Sequence, residues 1–536
     1  MIILDKLTLG ALVLKAAAKY TGKTAFQIYR DNGVYNQVSY SELGTKAKQF
    51  AACLKACGVK QSDRVMLLAE NRPEWVIAYF GIALAGAVSV PVLVDFIDEQ
   101  VLAIAGHAEV SAVCVTERTA VKIEKLRGSI PFIILDDPDL LTQDLLTENN
   151  PASAEDTANN PAEKNDLSGE DDLASIIYTS GTMGTSKGVA LSHRNLVFTA
   201  MAARKIAKIY ARDRILSVIP LAHTYECTVG LLTPVISGAC ITYLDRPPSP
   251  VILLPAMQTL RPTAIVTVPL FIEKIYRSHI LPQMEATPLY KWKLTRLLVI
   301  KAAGARLMEL MGSSMRFFGV GGAPLADDTE KFLKDTGFPY SIGYGLTETS
   351  PLVTGTIPYH FPLRSSGKAI PGVEVRIGDE GEIQVRGPNV MMGYYRDEER
   401  TKQAFTDDGW FRTGDLGGLD KKGNLFIRGR LKAVIIGPSG ENIYPEEIEN
   451  ILSASFLVED ALVIPGSRGE LVALIVLSEK AKTALAALAD NIEELKQNVN
   501  KRLAAFSRLN RIEIQQEPFE KTPTRKIKRF LYFKKD

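Results

Sequence analysis

The densest group of chemistry-bearing residues is Ser180-Gly181-Thr182-Met183-Gly184-Thr185-Ser186-Lys187-Gly188. It holds three glycines, four hydroxyl side chains and one lysine in nine positions, and it follows the apolar run LASIIYTS (173–180). Glycines let backbone N–H groups close around an anion, hydroxyls add donors, and Lys187 adds a point charge suited to phosphate. A flexible surface loop is the plain alternative, and the composition disfavours it. A Walker A loop needs Gly immediately before the Lys; Ser186 stands there, so a P-loop ATPase or kinase fails on spacing. In YGLTETSP (344–351) a hydroxyl and a carboxylate are adjacent. Thr347 can donate to a phosphate oxygen and Glu348 can help hold Mg²⁺, a hard ion that prefers oxygen ligands; a turn with a surface Glu is the competing reading. Asp415 in WFRTGDLG can accept two hydrogen bonds from a ribose diol, although TGD alone is also an ordinary Asx turn. Lys526 lies ten residues from the C-terminus in KTPTRKIKR. By residue type alone, this crowd of Lys and Arg reads as a basic solvated tail.

Other chemistries are disfavoured. The five cysteines (Cys53, Cys57, Cys114, Cys227, Cys240) have no CxxC spacing, and the five histidines form no HxxxH pair, so reduced thiols and no zinc site are expected. With 63 Lys plus Arg against 61 Asp plus Glu the net charge is +2, which gives no global field for nucleic acid. The 46% hydrophobic and 23% charged content is that of a globular chain. No apolar run reaches the ~18 residues of a membrane span. The N-terminal segment has early charges and no small-residue cleavage pattern, so no signal peptide is predicted. A cytoplasmic location is expected, with at most peripheral contact at the inner membrane face.

These residues must be held by elements, and the chain alternates strand and helix signals. Apolar runs at 64–69, 87–92, 111–116, 131–137, 173–180, 214–220, 239–244, 264–269 and 315–322 read as buried strands. Between the first two, Pro73 sits in the first turn of a predicted helix carrying Trp75, Val76, Tyr79, Ile82 and Ala83 at helical spacing. Such strand–helix–strand units build parallel sheets. The acidic, Asn- and Pro-rich stretch 144–172 reads as a solvated loop. After residue 380, GEIQVRG (381–387) and GNLFIRGR (423–430) read as antiparallel strands. The last hundred residues restart a small α/β pattern, with a predicted Ala/Leu-rich helix over 481–506.

The loop YTSGTMGTSKGV resembles the signature of the adenylate-forming superfamily of acyl-CoA synthetases, luciferases and peptide-synthetase adenylation domains. PLAHTYE (220–226), GGAPL (321–325), YGLTETSP, GEIQVRGPNVMMGYY (381–395), WFRTGDLG, GRLKAVIIGPSGENIYPEEIE (429–449) and KTPTRKIKR follow in the family's order, across nearly the whole chain. The resemblance implies roles. Thr179, Ser180, Gly181, Thr182, Gly184, Thr185 and Lys187 would bind the nucleotide. Thr347 and Glu348 would act at the α-phosphate of ATP. Tyr344 would stack on adenine, with Gly322, Ala323 and Pro324 alongside it. Asp415 would bind the ribose, and Arg430 the ribose or phosphate. His223 would lie beside the acyl-adenylate carbonyl, with a structural histidine as its alternative. Lys526 would be the catalytic lysine; the family often has Gly where this chain has Arg525.

The implied fold is α/β: two α/β subdomains plus a small β-barrel in an N-terminal AMP-binding domain (1–431), and a mobile C-terminal α/β domain (432–536) hinged at Lys432. The implied reaction makes acyl-AMP and pyrophosphate from a carboxylate and Mg·ATP. Domain rotation then brings Gly440, Glu441 and Asn442 to a coenzyme A channel, and acyl-CoA forms. The segment 261–280, HTYE and PTRKIK look most like long-chain fatty acid–CoA ligases. Where some of these carry a tryptophan gate, this chain has Tyr225 and Cys227. The implied partners are fatty acid, ATP and CoA, for a monomer or homodimer without nucleic acid. A ligase to acyl carrier protein and a non-catalytic nucleotide or acyl-CoA sensor are the rival readings.

Overall fold

Pro73–Leu84 is a helix with Pro at its first turn, and apart from Glu74 every side of it is buried. A helix apolar all round has to lie inside the protein, and this one lies between two sheets. Trp75 and Tyr79 stack on it with ring centroids 5.2 Å apart. In the computed structural model the described residues are 2–31, 33–138, 140, 168–179, 187–436, 442–455, 457–466, 470–482, 488–522 and 527–532.

Among them, seven strands form one sheet in the order Gly393–Tyr394, Lys187–Ser192, Leu173–Thr179, Val88–Pro91, Arg64–Leu68, Val110–Val115 and Phe132–Ile134. Leu173–Thr179 runs parallel to Val88–Pro91 and antiparallel to Lys187–Ser192. A nine-stranded sheet is ordered Lys368–Ala369, Thr354–Gly355, Tyr340–Tyr344, Phe317–Val320, Ala264–Thr267, Arg214–Leu216, Cys240–Leu244, Thr24–Arg30 and Gly33–Ser39. Its central pairs are parallel. One apolar cluster joins both sheets, with Val65 and Leu67 from the first, Phe26, Ile215 and Ile241 from the second, and Trp75 and Phe80 between them. Ile383, Phe411 and Leu425, from an antiparallel sheet of Glu374–Ile377, Glu382–Arg386, Phe411–Leu419 and Leu425–Arg430, belong to the same cluster.

The chain leaves this body through the short 3₁₀ turn Leu431–Ala433. Val458–Pro465, Leu471–Leu477 and Arg511–Gln515 then form a separate sheet. Its apolar clusters, around Ile448, Val463 and Ile475 and around Leu462 and Phe519, contain only residues from Ile435 onward. Helix Pro445–Ser453 faces strand Leu425–Arg430. Arg277 donates to the Ser453 carbonyl, and Arg502 Nη2 lies 3.2 Å from Asp327 Oδ2.

Three expectations change. The run 214–220 yields only Arg214–Leu216 as strand. The helix expected over 481–506 ends at Asn500, with residues 483–487 outside the described ones; Lys501–Ser507 forms turns and a 3₁₀ turn. The hairpin Thr24–Arg30/Gly33–Ser39 was not among the predicted strands. Most of the acidic stretch 144–172 lies outside the described residues.

Candidate active site

Three of the expected segments leave parallel strands at their carboxyl ends, where α/β sheets place ligands. Thr179 ends one strand, Val320 precedes Gly321-Gly322, and Tyr344 ends another. The buried Thr179 Oγ1 has no hydrogen-bond partner among the described residues, which suits a hydroxyl set to meet a ligand at the loop's entrance. Ser180, Gly181, Thr182, Gly184 and Thr185 lie outside the described residues.

Lys187 starts the strand on the far side of that loop. Its Nζ donates to Glu348 Oε1 at 2.5 Å and to the Tyr394 hydroxyl at 2.8 Å. Tyr394 in turn donates to the same Glu348 oxygen at 3.0 Å, and Lys187 Nζ lies 4.4 Å from the Tyr394 ring centroid. Strand pairing explains the meeting, since Tyr394 lies opposite Val189, two residues from Lys187. Burial pushes the Glu348 carboxyl up, but the Lys187 ammonium and the Tyr394 hydroxyl outweigh it and hold the group below its ordinary value. Glu348 is therefore an anion at neutral pH with only 6% of its surface exposed.

The turn that carries Glu348 is tightly made. Gly345 sits so close to Pro351 that an added Cβ would lie 1.8 Å from its carbonyl oxygen. Thr347–Thr349 then forms one 3₁₀ turn, with Thr347 half-buried. The segment 389–394 is laid along it. Met391 N–H donates to the Glu348 carbonyl at 2.9 Å, and the Asn389 amide donates to the Leu352 carbonyl at 2.9 Å. Tyr394 and Asn389 lie in a recognised motif, but nothing in the residue types assigned them a task.

Asp415 and Arg430 are register partners on adjacent strands. Arg430 Nε lies 2.7 Å from Asp415 Oδ1, and the Tyr344 hydroxyl donates to Asp415 Oδ2 at 2.7 Å. Tyr344, Asp415 and Arg430 thus form one cluster. Tyr344 is almost wholly buried, and burial followed by the Asp415 charge pushes its hydroxyl well above the ordinary range. Gly322, Ala323 and Pro324 form an exposed loop, with Gly322 at φ +86°, a conformation that favours glycine.

His223 sits in the turn after Pro220, and its Nδ1 accepts from the Tyr225 N–H at 3.2 Å. Tyr225 is half-buried and packs against Gly319 and Gly321, whose missing side chains leave room for its ring. The next residue, Glu226, was not predicted to matter. It is fully buried, its Oε1 accepts from Ser217 Oγ at 2.6 Å, and its Oε2 has no partner among the described residues. Burial pushes its carboxyl up to about 8. Its legible signal was its place at the end of the recognised motif PLAHTYE (220–226).

In the C-terminal unit, Lys432 is exposed in the 3₁₀ turn. Asn442 pairs with Ile436 as strand; Gly440, Glu441 and Lys526 lie outside the described residues. Much of the basic tail is paired with its own acids: Lys521 with Asp460 at 2.7 Å, Lys528 with Glu520 at 3.2 Å, and Arg529 with Glu449. No group of three His, Cys, Asp or Glu able to hold a metal occurs among the described residues. Glu348 does offer one hard carboxylate, which suits an ion that also takes ligands from substrate phosphates.

The part-buried Lys187–Glu348 pair thus borders the glycine-rich segment, and Asp415, on the four-stranded sheet, is held by Arg430 and Tyr344. Residues 13–395 match the AMP-binding enzyme family and residues 432–535 match the AMP-binding enzyme C-terminal domain; the chain belongs to this family. It is 31% identical to the long-chain-fatty-acid–CoA ligase FadD15 of Mycobacterium bovis, over 93% of this chain and 90% of that one. It is 29% identical to the chloroplastic long-chain-fatty-acid–[acyl-carrier-protein] ligase AEE15 of Arabidopsis thaliana, over 86% and 75%. ATP-bound MatB from Rhodopseudomonas palustris superposes with a TM-score of 0.78 at 27% identity, over 98% of each chain.

Proposed function

We propose that the protein is an ATP-dependent, AMP-forming ligase that joins a long-chain fatty acid to coenzyme A. A carboxylate oxygen attacks the α-phosphorus of ATP and pyrophosphate leaves. The CoA sulfur then attacks the acyl-AMP carbonyl, forming the thioester and releasing AMP. The observation that carries this reading is the full-length likeness to a long-chain-fatty-acid–CoA ligase, covering both family domains.

The residues fit the steps by their chemistry. Thr179, Lys187 and the loop 180–186 hold the phosphates, and Thr347 donates to the α-phosphate. Asp415 and Arg430, now turned to each other, exchange part of that contact for the ribose, while Tyr344, Gly322, Ala323 and Pro324 flank the adenine. His223 stands by the acyl carbonyl. Glu348 would hold Mg²⁺, which supplies charge neutralisation at the phosphates. Lys526 brings a cation from the C-terminal domain (432–536) for the first step, and rotation about Lys432 replaces it with Gly440, Glu441 and Asn442 for the second.

The test is a panel of acids from acetate to C20, scored for AMP release with CoA and with acyl carrier protein as acceptor. Each methylene buried in an apolar tunnel contributes up to ~0.8 kcal/mol, so kcat/KM should climb to the C12–C18 acids. A maximum at acetate or butyrate, or on an aromatic acid, overturns the substrate. Turnover with acyl carrier protein alone, in place of CoA, favours the acceptor named for the Arabidopsis relative.

A further inference from the structure

Among the described residues, a run of exposed large apolar side chains lies between Leu289 and Leu298, outside the candidate site. It spans the 3₁₀ turn Pro288–Lys291 and the start of helix Lys293–Leu310. Leu289 is 54% exposed, Trp292 71%, Leu294 92%, Leu297 56% and Leu298 69%. Single exposed leucines are ordinary, but a contiguous set of this kind marks an interaction surface. Leu294, Leu297, Leu298 and Lys301 follow helical spacing and share one face. The opposite face is already used: Leu307 is buried, and Val299, Ile300 and Ala303 pack against the same apolar cluster.

The charge around the patch is one-sided. From Ala286 to Met308 the sequence has no Asp or Glu and carries Lys291, Lys293, Arg296, Lys301 and Arg306, in a chain whose net charge is only +2. Arg306 pairs with Glu309 at 2.6 Å. Among the described residues the other four pair with no carboxylate; Arg296 stacks on Tyr290 at 4.7 Å. Their long stems can lie along the apolar face while the charged ends reach outward.

We propose that residues 288–301 dock the protein on the surface of an anionic lipid bilayer. The leucines and Trp292 enter the headgroup–acyl boundary, and the lysines and Arg296 face the lipid phosphates, the arrangement of an interfacial helix. A second copy of this chain is disfavoured as the occupant, because a two-fold contact would bring the four unpaired cations of each copy together. This surface is independent of the ligase reading, and its test uses no substrate.

Trp292 makes the test direct, because the other two tryptophans, Trp75 and Trp410, are buried. The full chain is titrated with vesicles of phosphatidylcholine alone and of phosphatidylcholine with phosphatidylglycerol. With the anionic vesicles, Trp292 emission should shift to the blue and become protected from acrylamide, and added salt should reverse both. Lys291→Glu/Lys293→Glu should lower the partition coefficient by ~10-fold or more, from a contribution of ~1 kcal/mol per cation. Leu294→Gln/Leu298→Gln should lower it comparably. All four sites are exposed, so unchanged melting of the variants is expected and is checked alongside. No binding to anionic vesicles, equal binding to neutral ones, or Trp292 protection in a lipid-free dimer seen by sedimentation each overturns the proposal.

Discussion

Glu348 and Lys187 were both legible as single residues, but not as a pair: 161 positions separate them, and only the strand pairing of Lys187–Ser192 with Gly393–Tyr394 shows why Tyr394 closes the triangle. Glu348→Gln should lower pyrophosphate release by ~10², the scale of one lost preorganised electrostatic contact, with partial rescue by raised Mg²⁺. Steady-state rates across a Mg²⁺ series check this, and wild-type rates at low Mg²⁺ remove Glu348 from the site. Glu226 stood in a recognised motif, but its burial was illegible, because it depends on Gly230, whose missing side chain makes room for the carboxyl, and on Ser217. Its carboxyl is raised from 4.5 to about 8 in the fold. The folded state therefore binds more protons than the unfolded one between these values. This group's contribution to stability is full below the lower value and is lost as pH rises through the upper. Glu226→Gln cannot ionise, so its melting temperature should exceed wild type at pH 9 and converge toward it at pH 5. Parallel melting curves that stay the same distance apart would assign Glu226 a neutral role throughout.

At the level of elements, strands were read well where an apolar run has turn residues at both ends, as in Leu173–Thr179 and Cys240–Leu244. They were overread where proline truncates the run, as before Pro220, and missed in Thr24–Arg30 and Gly33–Ser39, whose burial does not alternate cleanly. The turn between Tyr340–Tyr344 and Thr347–Thr349 was recognised as a motif, yet the reason for its glycine is visible only in three dimensions. Gly345→Ala forces a Cβ against the Pro351 carbonyl, so the turn must open. A loss of ~1–3 kcal/mol is expected from overpacking of this kind, together with a disproportionate loss of adenylation, because Tyr344, Thr347 and Glu348 are all carried by that turn. Gly22→Ala, where an added Cβ meets nothing within 4 Å, is the control and should change neither. Thermal melting and pyrophosphate exchange on both variants decide it.

Over the whole molecule, the order of motifs along the chain foretold a large α/β body followed by a small one, while the interleaving of the first two sheets was not legible, since it depends on which apolar face meets which. Contacts such as Arg502–Asp327 between the large and small bodies are polar and exposed, and ion pairs of this class are worth ~1 kcal/mol or less. Arg502→Glu should therefore shift the preferred orientation of the small body, seen as a changed distance distribution between fluorophores on the two, without altering the melting of either. The separate apolar clusters carry a thermal consequence. Because Pro73–Leu84 ties the two large sheets into a single cluster, these cannot melt one at a time. The C-terminal sheet shares no cluster with them among the described residues. Calorimetry should show two endotherms, a large cooperative one and a smaller one that saturating ATP moves less, so that the two bodies keep independent heats of unfolding.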